Sequence, residues 1–202
     1  MGFKKILSAL IAGAMAVASF SRALPSIVPE VGQNIGVSAE STDTSGYCGS
    51  NLTWKLDSEG TLIISGSGNI YDYGYYGYGT RSPFYDRSDI KKVVISDGVT
   101  SIGNEAFGRC SNLTGVTIPN SVTSIGRDAF SGCSNLTTAT IPDSVTSIAD
   151  YAFYGCSGLT DIYIEYPKCN IGAYCFERTG STIHGYENST AQAYAEKYGH
   201  KS

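Results

Sequence analysis

The chain has 202 residues, 42% of them apolar and 16% charged, with a net charge of −4. That length allows one domain with a real core and a sparsely charged surface. Neither half is basic, which excludes the clustered Lys and Arg of a phosphate-tracking surface and with it a nucleic-acid partner.

The first stretch stands outside the fold. Lys4 and Lys5 precede an uncharged run from Ile6 to Phe20, the length of a secretory h-region and short of the ~20 residues a spanning helix needs. Residues 1–39 are therefore expected to be a signal peptide and flexible leader. Two small-x-small triplets offer a cleavage point, Ala16-Val17-Ala18 and Val37-Ser38-Ala39. The later one is favoured, because Leu24 to Ser38 carries neither helical nor strand period; an uncleaved N-terminal anchor is the alternative. Cleavage there leaves 11 basic and 17 acidic residues, a mildly acidic exported chain with no membrane span.

Residues 40–90 are expected to form an N-terminal cap. After a short flexible lead at 40–47, Leu52, Trp54 and Leu56 alternate with polar residues; "DSEG" follows, then Leu62 and Ile64. This predicts a β-hairpin that shields the edge of the next element. The run "GSGNIYDYGYYGYGTRSPFYDRSD" comes next, with Tyr71, Tyr73, Tyr75, Tyr76 and Tyr78 set among Gly and Asp. It has too much Gly for a helix or central strand and is predicted to be a surface loop. Pro83, Phe84 and Tyr85 return the chain to the core, and Ile90, Val93 and Ile95 open the first repeat strand.

From residue 91 to 185 a step of 23 dominates. Phe107, Phe130, Phe153 and Phe176 keep it, as do Ile95, Ile118, Ile141 and Ile164, and Leu113, Leu136 and Leu159. Such a period marks a solenoid, since one unit cannot bury its apolar residues without a copy on either side. Each unit reads as a short strand (Leu113-x-x-Val116-x-Ile118, closed by Pro119), a second apolar step (Val122, Ile125, with Gly126 allowing a bend) and a helical turn over Asp128, Ala129 and Phe130. The expected product is a β-rich α/β solenoid of the leucine-rich repeat kind, a right-handed coil of parallel strands about 4.8 Å apart. The fourth unit decays, as a terminal repeat does. Residues 186–202 close the far end: Ser189-Thr190-Ala191-Gln192 has capping-box form, and Ala191, Tyr194, Ala195 and Tyr198 share one helical face before Gly199.

Six cysteines in an exported chain invite disulfides. Cys110, Cys133 and Cys156, however, occupy one repeat column and read as buried free thiols in a small apolar slot. The spacing leaves a Cys169–Cys175 bridge open, and Cys48 has no evident partner. There is no CxxC pair, hence no expected metal site, and nothing calls for a cofactor. Only His184 and His200 could serve a nucleophile; His184 counts into the slot of Thr138 and Asp161. Asp161 and Glu165, four residues apart, lack an enclosing pocket. The chain is therefore not expected to be an enzyme.

The unit "IPxSVTSIGxxAFxGCSNLT", with "CGSNLTWKLDSEGTLIISGSG" before it and "GYENSTAQAYAEKYG" after it, resembles the BspA-type leucine-rich repeat proteins of bacterial surfaces over roughly residues 47–200. The resemblance implies a secreted or surface-exposed bacterial solenoid, with some members acting as adhesins for host matrix proteins. One departure is that Gly98, Ser121 and Ser144 stand in the usual Asn slot, so no asparagine ladder is expected there and the curvature stays open.

Binding is the remaining class of function. Strand residues pointing away from the core form two columns, Lys92, Gly115, Thr138, Asp161 and Val94, Thr117, Thr140, Tyr163, a flat surface on which an extracellular protein or glycan could lie. The other reading is solvated Thr of good β-propensity. The Tyr/Gly loop mixes rigid aromatic area with adaptable backbone, as antibody contact loops do; its other reading is a lid over the solenoid end. The alternative function is a structural spacer or self-association module of a cell envelope, and the sequence leaves the oligomeric state open.

Overall fold

The computed structural model describes residues 43–74 and 80–202. The expected leader at 1–39, like Tyr75, Tyr76 and Tyr78, lies outside the described residues.

The cap is a three-stranded antiparallel meander rather than a lone hairpin: β1 (Ser45–Gly49), β2 (Leu52–Leu56) and β3 (Thr61–Gly66) pair in that order. The expected lead at 40–47 is thus strand from Ser45 onward. Gly46 makes this possible, because a Cβ there would fall 2.9 Å from Trp54 Nε1. The hairpin turn closes on Asp57, whose Oδ1 accepts from the Glu59 and Thr61 N–H groups at 2.9 and 2.8 Å.

Next, β3 pairs in parallel with β5 (Lys92–Ile95), with Leu62 opposite Val93 and Ile64 opposite Ile95. The second hairpin strand is therefore the first rung of the solenoid. Passing the short β4 (Gly68–Asn69), the rungs continue as β7 (Gly115–Thr117), β9 (Thr138–Ile141), β11 (Asp161–Ile164) and β13 (Thr182–His184). Each coil also contributes to a second parallel sheet, in which β6 (Val99–Ile102), β8 (Ser124–Ile125), β10 (Ser147–Ile148) and β12 (Asn170–Ile171) follow β4. Gly126 belongs here for closeness, not for bending: a Cβ would lie 2.6 Å from Asn104 N in the coil before it.

The third side holds turns where helical turns were expected. Asp128 (φ 54°), Tyr151 (φ 59°) and Tyr174 (φ 55°) are left-handed, and so are Arg109, Gly132, Gly155 and Arg178. A left-handed residue stops a right-handed helix at once. It also turns N–H groups outward: Phe107 N donates to Ala129 O (2.7 Å), Phe130 N to Ala152 O (2.8 Å) and Phe153 N to Cys175 O (2.9 Å). Neighbouring coils are thereby hydrogen-bonded on this side as well.

A pile of rings fills the interior. Phe84, Phe107, Phe130, Phe153 and Phe176 are fully buried and stack in sequence at 5.3, 5.2, 5.1 and 5.7 Å between centroids. Trp54 meets the first ring edge-on (5.3 Å, 83°) and Tyr194 the last (5.4 Å, 81°). Beside the rings runs a thiol ladder: Cys110, Cys133 and Cys156 each donate from Sγ to the carbonyl of the Phe one coil earlier, at 3.1, 3.2 and 3.1 Å. All six cysteines are free and buried, so Cys169 and Cys175 are not bridged. Ile118 and Ile141 lie in the same core.

The last coil is two residues short of the 23-residue step: Ile183 stands opposite Ile162 and His184 opposite Tyr163. His184 therefore shares a row with Tyr163 and Thr140, not with Asp161 and Thr138 as counting predicts. Helix α1 (Thr190–Tyr198) closes the end on buried Ala191, Tyr194 and Ala195. Ser189 Oγ accepts from Gln192 N, and left-handed Gly199 returns its N–H to Ala195 O. The capping box is shifted by one, since Gln192 Oε1 accepts from Asn188 N (2.7 Å) rather than from Ser189.

Candidate binding surface

Parallel pairing sets the outward residues of the rungs side by side. One row holds Thr61, Lys92 and Gly115, then Thr138, Asp161 and Thr182; the next holds Ile63, Val94 and Thr117, then Thr140, Tyr163 and His184. The ladder is interrupted between β7 and β9, which belong to separate sheets. Thr117, Thr138 and Thr140 are exposed, and around Gly115 an added Cβ would meet nothing within 4 Å. The middle of the face is thus a low shelf of short side chains.

That shelf ends at a wall. The Tyr163 ring, 42% exposed, stacks on His184 at 4.4 Å with planes 10° apart. Centroid spacing close to the ~4.8 Å between strands means the rings stand across the direction of stacking. One face of Tyr163 is covered by His184, and the other is turned toward Thr140. His184 Nε2 in turn lies 2.8 Å from Asp161 Oδ1, while Thr160 Oγ1 donates to Asp161 Oδ2 (2.9 Å). The hydrogen bond to His184, followed by that from Thr160, holds the Asp161 carboxyl below the usual carboxylate range.

Two adjoining recesses open at this wall. One, of about 470 Å³, is lined by Thr140, Tyr163, Glu165, His184 and Tyr186; the other, about 520 Å³, by Asp143, Glu165, Tyr166, Pro167 and Tyr186. Tyr186 is 61% exposed. Counting by 23 misplaced His184, and Tyr186 follows it, so the shortened coil hid both from the sequence. Glu165 was readable only as a carboxylate on the same side as Asp161.

The Tyr loop is divided. Tyr71 is exposed and anchored by its N–H to Cys48 O (2.8 Å), whereas Tyr73 is buried, its pKa raised by desolvation. Tyr73 therefore belongs to the packing of the cap rather than to an exposed contact set. On the turn side a second line of tyrosines is covered by cations: Arg127 sits over Tyr151 (5.1 Å) and Arg178 over Tyr154 (5.4 Å).

Among the described residues, no group of three His, Cys, Asp or Glu side chains is placed to hold a metal ion. No described helix is long and apolar enough to cross a membrane.

A protein-family model described as BspA type leucine rich repeat region matches residues 80–195 in six copies. A leucine-rich repeat protein from Eubacterium ventriosum is similar at 26% identity with a TM-score of 0.52, covering 71% of this chain and 44% of its own. The present chain thus spans less than half the length of that relative. A leucine-rich repeat protein from Bacteroides capillosus matches at 23% identity and TM-score 0.39, over 60% of this chain and 99% of its own. A leucine rich cell surface protein from Faecalibacterium prausnitzii matches at 25% and 0.27, over 75% and 56%. No curated protein matches.

Proposed function

Because this chain belongs to the BspA-type leucine-rich repeat family, we propose that it is a non-catalytic module for recognising an extracellular protein or glycan, exported by a bacterium and displayed or released at the cell surface. It divides into a leader at 1–39, a cap at 40–90, repeats at 91–185 and a helical cap at 186–202. Recognition uses the strand face from Lys92 to Tyr163, including Thr117, Thr138, Thr140 and Asp161, together with the exposed part of the loop from Tyr71 to Tyr78. The observation that carries this reading is the low Thr shelf ending at an upright, half-exposed aromatic wall with open recesses. Core packing gives no reason to stand a Tyr in water beside short neighbours, whereas a binding site gains large contact area from a side chain with few rotors. A pull-down with matrix proteins and a glycan array test it, using the chain with and without the Tyr loop. Silence on both overturns it.

The second reading is a spacer that self-associates. It is favoured by Tyr47, 76% exposed on strand β1 at the edge of its sheet, since edge strands recruit further strands. Light scattering that shows oligomers, lost in Tyr47→Lys, supports that reading.

A further inference from the structure

The wall at the end of the shelf has a shape that narrows the class of ligand, and the inference drawn from it rests on the strand face being the binding surface. Asp161, Tyr163 and Glu165 alternate along β11 and its continuation, so all three project outward from one strand. Tyr163 stands between the two carboxylates. Behind it His184 supports the ring at 4.4 Å, and in front of it Thr140, directly opposite in register, is too short to cover the ring. Thr138 stands beside Asp161 in the same way. The result is an aromatic face rising from a floor of hydroxyls, with a carboxylate on either side.

We infer that the free face of Tyr163 is a pyranose-binding subsite, in which a sugar ring of an extracellular glycan stacks on the tyrosine over Thr140 and its hydroxyls donate to Asp161 and Glu165. The apolar C–H face of a pyranose matches the ring, while its equatorial hydroxyls radiate sideways in the ring plane, toward the two carboxylates. Asp161 is held in place by His184 at Oδ1 and Thr160 at Oδ2, one contact on each oxygen, and each carboxylate oxygen keeps a second lone pair to accept from a sugar hydroxyl. Glu165 lines both recesses, so a second sugar of the same chain has room past Tyr186. With carboxylates on both flanks, a sugar bearing a free amine is preferred to its N-acetylated or neutral counterpart. On the turn side Arg127 and Arg178 lie over Tyr151 and Tyr154, and Tyr174 is stacked on Tyr151 at 5.5 Å and met edge-on by Tyr198 at 5.9 Å.

The experiment is saturation-transfer NMR and calorimetry on the whole chain with three probes: a glucosamine tetrasaccharide, its N-acetylated form and a glucose tetrasaccharide. Expected is transfer to the C–H protons of one sugar face, with the free-amine probe binding tightest. Tyr163→Phe keeps the ring and retains binding, and Tyr163→Ala weakens it about tenfold or more. Glu165→Gln removes one of the two flanking charges, so it weakens the free-amine probe more than the glucose probe and narrows the preference between them. Tyr163 is half-exposed, so unchanged circular dichroism is expected of each variant. No transfer from any probe overturns the inference, and so does binding that survives Tyr163→Ala. If a matrix protein or an arginine-rich peptide binds the strand face and the sugars do not, this inference fails while the recognition reading stands. Silence from proteins and sugars alike removes both.

Discussion

Phe130 is the centre of the ring pile and the sharpest place to perturb it. It is wholly buried, with Phe107 5.2 Å on one side and Phe153 5.1 Å on the other. In Phe130→Ala the lost ring leaves roughly 100 Å³, and neighbours on both sides are tied to their coils by the Phe107 N to Ala129 O and Phe153 N to Cys175 O bonds, so collapse into the hole is limited. At about 24 cal/mol per Å³ the cavity accounts for ~2.4 kcal/mol, and the transfer of the ring brings the total to about 3–5 kcal/mol. That is a large part of the 5–15 kcal/mol typical of a domain. With a urea slope of about 2 kcal/mol/M, the midpoint falls by roughly 1.5–2.5 M. The single tryptophan, Trp54, sits on the end of the pile against Phe84 and serves as the fluorescent reporter. A fall of less than about 0.5 M would mean that the rings do not support one another, and the account of the core would be wrong.

Further outcomes follow from the same geometry. Thiol reagents are expected to label none of the six buried cysteines until urea unfolds the chain, and labelling of the native protein at neutral pH contradicts the packing. Burial raises the Cys48 thiol to about 12 and Cys169 to about 11. A folded pKa above the unfolded one makes their contribution whole below the usual 9.0 and lost as pH rises from there; urea midpoints measured up that range are expected to decline. Burial likewise raises the Asp128 carboxyl above 3.8, so its charge works against the fold once pH exceeds the ordinary carboxylate range. Asp128→Asn removes that charge and is expected to stabilise at neutral pH by on the order of a few tenths of a kcal/mol, an advantage that thermal melts should show shrinking in acid. Gly126→Ala drives a methyl against Asn104 N and is expected to cost about 1–3 kcal/mol, while Gly115→Ala, with open space around it, is expected to be neutral or stabilising by up to ~1 kcal/mol; equal midpoints for the pair would contradict the close approach.

The solenoid was legible because its side chains repeat where they touch their own copies. Ile118 and Ile141, Cys110, Cys133 and Cys156, and the Phe column all sit at positions where one coil covers the next, and there the 23-residue count and the packing coincide. Phe84 keeps that count, 23 residues before Phe107, and so do Val93 and Ile95 after it, but the chain before it does not: β3 and β5 are 31 residues apart from Ile64 to Ile95, the excess lying in the Tyr/Gly loop. Phe84 is thus the first ring of the pile and the point from which the count holds. The third side was misread for a different reason. Asp128 is of a type that tolerates a left-handed backbone, but Tyr151 and Tyr174 in the same slot do not announce one, and the hydrogen bonds to the next coil that go with the conformation are invisible to a local reading. At the candidate surface the Thr columns and Tyr163 could be placed from the alternation of β9 and β11, whereas the His184 partner depended on the short final coil, a deletion that leaves no mark except a pairing one strand away.

The two edge-on aromatics have a consequence for how such chains lengthen. Of the phenylalanine pile, Trp54 and Tyr194 each meet only the outermost ring, and every interior ring sees the same kind of neighbour above and below. Splicing in another 23-residue unit between Phe130 and Phe153 would leave both bookends in place, so gene duplication can extend the strand face one rung at a time without redesigning either terminus.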